Sequence, residues 1–70
     1  MRYVVQELHT HNERLETFAG IKSAKSYTSD LLKELPTTLE RLTLWKEEPG
    51  KLPEKLWSWE RACPSLNLNQ

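Results

Sequence analysis

Arg2-Tyr-Val-Val-Gln-Glu-Leu-His-Thr-His-Asn-Glu-Arg-Leu-Glu-Thr-Phe18 is the stretch on which the fold class turns. The Val4–Val5 pair and Tyr3 favour extended backbone, because β-branched and aromatic side chains pack well on a pleated surface. Met1, Val4, Val5, Leu8, Leu15, Phe18 and Ala19 also sit at spacings open to one long helix ending at Gly20. That helix would have to carry Thr10, His11 and Asn12 through its middle. These residues are poor helix formers, and Thr and Asn compete with the backbone for its hydrogen bonds. A hairpin is the better reading: a strand over 2–9, a turn near Thr10–Glu13 and a short strand over 14–18. Asn12 suits the turn because it tolerates left-handed backbone geometry.

Downstream lies the clearest amphipathic helix, Ser23–Leu35. Ala24, Tyr27, Leu31 and Leu35 share one side, and Thr28 and Leu32 widen the stripe. Ser23 is the expected cap, and Pro36 stops the helix by disfavouring helical geometry at Leu35. In 39–46, Leu42 and Leu44 alternate with Arg41, Thr43 and Trp45, the period of a strand. Glu47-Glu-Pro-Gly50 is a turn by composition. Residues 53–63 read as a second helix: Pro53 fits a first helical position, Glu54 suits the positive end of the dipole, and Pro64 terminates. Leu56, Trp59 and Cys63 then share its buried face. The expected fold is α+β, a small β-β-α-β-α two-layer domain over 1–64 with a frayed tail at 65–70. The competing reading is an all-α bundle of three or four short helices.

Seventy residues can bury only a modest core. Ten basic residues balance ten acidic ones, so no basic arm supplies the phosphate-contact energy that dominates nucleic-acid affinity. Cys63 is the single cysteine, which rules out an intrachain disulfide. No segment approaches the ~20 apolar residues of a membrane span. The chain starts with Met and is expected to be a complete small cytoplasmic protein.

Chemistry-bearing patterns are sparse. Glu7, His9 and His11 alternate and would share one face of a straight strand, a conceivable metal site. Without a further ligand they read instead as a polar strand end facing water, and no metal or cofactor is expected. Cys63, on an apolar helix face, reads as a small buried hydrophobe. With only Gly20 and Gly50, no phosphate-cradling loop can be written. The three tryptophans are more informative. Trp59 belongs in the core, Trp45 falls on the sheet face opposite Leu42 and Leu44, and Trp57 borders its helix stripe. Arg41, Trp45, Trp57 and Arg61 form the candidate partner-binding set, since exposed Trp and Arg are favoured interface anchors. The expected function is a non-enzymatic interaction or regulatory module that binds another protein or itself. The alternative is a nucleic-acid binder stacking bases on Tyr3 and Trp45 beside Arg41.

Overall fold

The computed structural model describes residues 1–61. The chain runs β1 (Arg2–His9), β2 (Glu13–Phe18), α1 (Ile21–Glu34), β3 (Leu39–Glu47) and β4 (Glu54–Glu60). The strands form one antiparallel sheet in the order β2-β1-β3-β4, with the helix packed on one face over β1, β2 and β3.

The hairpin reading of 2–18 holds, and the long helix and the all-α bundle are excluded. The turn closes through the His9 N–H, which donates to the Asn12 carbonyl at 2.8 Å. The last element is where the expected fold fails. Residues 54–60 are a strand, so the architecture is β-β-α-β-β rather than β-β-α-β-α. Packing decides it. Trp57 and Trp59 stand opposite Leu44 and Leu42 and project to the helix side, while Lys55, Ser58 and Glu60 stand opposite Trp45, Thr43 and Arg41 on the other face. A helix here would leave the β3 edge unpaired, and a strand satisfies that row of backbone groups. Pro53 sits just before the strand, where its missing N–H breaks no ladder bond. The face expected to join Leu56, Trp59 and Cys63 therefore does not form; Cys63 and the tail at 65–70 lie outside the described residues.

The helix starts earlier than its serine suggested. Gly20 occupies the N-cap position with no side-chain cap, leaving Ser23 in the first turn. At the other end Leu35 adopts left-handed geometry (φ 44°) and its N–H donates to the Leu31 carbonyl at 2.7 Å. This single bond closes the last turn before Pro36 forbids another. Leu35 consequently leaves the apolar stripe and is exposed.

Val5, Ala24, Leu42 and Leu44 form the buried centre. Tyr3, Phe18, Tyr27, Leu31, Leu32 and Trp59 pack around it. The Phe18 and Tyr27 rings lie 5.3 Å apart at 47°, a tilted contact that links β2 to the helix. Two register shifts shape the sheet, between Leu8 and His9 against β3 and between Leu44 and Trp45 against β4. The second leaves Leu56 as an extra residue in β4, so Leu56 and Trp57 both line the groove beside the helix. Among the described residues, no helix is long and apolar enough to cross a membrane.

Candidate functional site

One helix cannot cover four strands on both sides, so among the described residues the far face of the sheet stays open. Strand alternation sends Gln6 and Leu8 of β1, Arg41, Thr43 and Trp45 of β3, and Lys55, Ser58 and Glu60 of β4 to this face, where they line a shallow concavity of about 510 Å³. The Trp45 indole is held in place: its Nε1–H donates to Gln6 Oε1 at 3.0 Å, and the Gln6 amide donates in turn to Glu13. Arg41 is fixed by Glu60, whose Oε2 accepts from Nε at 3.0 Å and from Nη2 at 2.6 Å. Both side chains are more than half exposed, so the pair orients a cation more than it stabilises the fold. Leu15, which pairs with Gln6, extends the surface and is 60% exposed.

Of the four residues singled out in the sequence, the structure brings two together. Arg41 and Trp45 share the open face. Trp57 lies on the opposite side, lining a groove of about 460 Å³ with Ile21, Lys25, Thr28, Leu44 and Leu56. Arg61 belongs to neither surface. Its Nε donates to the Leu39 carbonyl at 2.9 Å and its Nη2 to the Pro36 carbonyl at 3.0 Å, and its guanidinium lies 6.0 Å over the Trp59 ring. It ties the end of β4 to the chain entering β3. Arg61→Ala should therefore lower stability by about 1 kcal/mol, as expected for partly exposed charge-assisted bonds; a urea melt unchanged from wild type would contradict this role. Tyr3 packs against the core on the helix side, so the expected Tyr3–Trp45 stacking face does not exist.

The sequence reading missed a polar chain beneath the helix. Glu7 stands on the same strand face as Val5 and is only 3% exposed, where a solvent-facing strand end was expected. The Tyr27 hydroxyl donates to Glu7 Oε2, and the other carboxylate oxygen accepts from His9 Nε2 at 2.9 Å. A carboxylate can only accept, so Nε2 carries the proton. In the neutral ring, His9 Nδ1 then accepts from the Thr38 hydroxyl at 2.8 Å. The chain links the helix, β1 and the segment entering β3, and it satisfies a carboxylate that would otherwise be costly to bury. Burial first, and then the bond to Glu7, push the Tyr27 hydroxyl up to about 12. A signal was available in the sequence: Tyr27 lies on the buried stripe, and its hydroxyl requires a partner there.

Both His9 ring nitrogens are engaged, so this imidazole offers no free atom to a ligand. Among the described residues, no group of three or more His, Cys, Asp or Glu side chains is placed to hold a metal ion. Glu7 and His9 meet each other, while His11 lies in the turn beyond the strand. Compared with known proteins, the chain matches no family model, no curated protein and no solved structure.

Proposed function

We propose that this chain is a small, non-enzymatic binding module of the cytoplasm whose partner is another protein and whose contact surface is the open sheet face. The observation that carries the reading is the pairing of an immobilised Trp45 with an oriented Arg41, flanked by exposed Leu8 and Leu15. Aromatic and Arg side chains already held in one rotamer lose little entropy on binding, which favours them as anchors. Glu13, Glu60, Arg41 and Lys55 give the rim mixed charge, which suits a protein surface better than a phosphate backbone. The nucleic-acid alternative loses support, since Tyr3 is on the other face and the net charge is zero.

Affinity capture from the source cells with three baits tests this reading: wild type, Leu15→Lys/Arg41→Glu, and Lys25→Glu as a helix-side control. A partner retained by wild type and the control, and depleted about tenfold or more by the open-face pair, is the expected result. Equal recovery by all three would remove the open face as the binding surface.

A further inference from the structure

We propose that a second copy of this chain adds to the sheet through β4, joining two four-stranded sheets into one continuous sheet across a two-fold axis at Ser58. The two sheet edges differ in character. Both edges carry charge, Glu13, Arg14 and Glu16 on β2 around a single exposed Leu15, and Glu54, Lys55 and Glu60 on β4. β4 also presents Leu56 and Trp57, 38% and 39% exposed, beyond the cover of the helix.

The backbone of β4 fixes which residues are free to pair. The Arg61 N–H donates to the Glu40 carbonyl at 3.0 Å, so Arg61 is aimed at β3. Alternation then aims Trp59 and Trp57 at β3, and Glu60 and Ser58 outward. At the bulge Leu56 and Trp57 together oppose one residue of β3, so the next residue aimed outward is Lys55. Among the described residues, the positions left free to pair are Lys55, Ser58 and Glu60.

An antiparallel pairing centred on Ser58 uses these positions and no others. Ser58 meets Ser58 of the second copy in a pair that exchanges both backbone bonds, and each Lys55 meets Glu60 of the second copy in the same kind of pair. The facing is also right, because Lys55, Ser58 and Glu60 all lie on the open face. Trp57 then stands beside Trp59 of the second copy on the helix side, in the closer, non-hydrogen-bonded type of pair where aromatic contacts are strongest. Lys55 and Glu60 carry opposite charge, so the two-fold axis forms the ion pair twice and extends the existing Arg41–Glu60 contact. A register centred on Trp57, with the same bulge counted, sets Ser58 against Lys55 and Glu60 against Pro53, so it forms no ion pair across the axis.

The Leu15→Lys variant separates this proposal from the open-face reading, since it leaves β4 untouched. Sedimentation equilibrium at about 100 μM decides it, a concentration that populates a dimer of micromolar affinity. Wild type and Leu15→Lys should be dimers. Ser58→Pro should be a monomer with unchanged circular dichroism, because the N–H it removes faces away from β3. Lys55→Glu and Glu60→Lys should each weaken the dimer about tenfold, and the double variant should restore it. A monomeric wild type overturns the proposal, as does a dimeric Ser58→Pro. Should Ser58→Pro fail to fold, the charge swap decides: failure of the double variant to recover overturns the register.

Discussion

Leu42→Ala is expected to unfold most of the protein at room temperature in dilute buffer. Leu42 is fully buried, faces the helix, and pairs across the sheet with Glu7 on one side and Trp59 on the other. Truncating such a side chain removes its transfer energy and leaves a cavity, together worth about 3–4 kcal/mol. A single core in a chain of 70 residues rarely supplies more than about 3–5 kcal/mol. The core that must absorb the loss is small: Val5, Ala24, Leu42 and Leu44, with partly buried neighbours. Trp57→Ala is the contrast, because more than a third of that side chain is already in water; its cost should stay near 1 kcal/mol. Urea melts of both variants at a dilution where the wild type is monomeric give the comparison. Equal loss in the two would mean that the outer groove, and not the Val5–Leu42 layer, carries the fold.

The first half of the chain was legible in the sequence because its signals agree with one another. The β-branched pair Val4–Val5, the turn-forming Asn12 and the interruption at Thr10–Asn12 all favour a hairpin over the competing helical spacing of Met1, Val4, Val5, Leu8 and Leu15. The stripe Ala24–Tyr27–Thr28–Leu31 likewise names the buried side of the helix. The second half failed at one place for one reason. In β4 the extra residue Leu56 puts two adjacent apolar side chains on the same side, which hides the two-residue period of a strand. Leu56, Trp59 and Cys63 then mimic a helical spacing, and Pro53 and Glu54 supply plausible start signals. Only the unpaired edge of β3, a tertiary fact, selects the strand. The candidate site divided along the same line. Arg41 and Trp45 lie in a regular stretch of β3 and fell on the face expected for them, whereas Trp57 and Arg61 were assigned through a helix that does not exist. Glu7 escaped because a charged residue near a strand end reads as solvated, and its burial depends on a tyrosine twenty residues away.

Tyr27→Phe should cost about 2 kcal/mol at neutral pH, the usual loss when a buried carboxylate forfeits a donor. Glu7 stays buried in the variant, and His9 alone must then satisfy it. The alkaline limb of the stability profile supplies an independent readout. The folded protein holds the Tyr27 proton up to about pH 12, whereas the unfolded chain releases it near the ordinary value of ~10. Between those values the folded state binds more protons, so the slope of unfolding free energy against pH is negative. The contribution is fully present below pH ~10 and is lost as pH rises toward 12. Melting temperatures measured from pH 8 to pH 12 should therefore fall more steeply for wild type than for Tyr27→Phe, and the two curves should converge at the alkaline end. Parallel curves, or a neutral-pH loss below about 0.5 kcal/mol, would show that the hydroxyl does not anchor the Glu7 carboxylate. Convergence together with the full loss at neutral pH would mean that the helix is fastened to β1 by a polar bond as well as by its apolar stripe. A chain this short has reason to use both, because the apolar centre around Val5 and Leu42 is small.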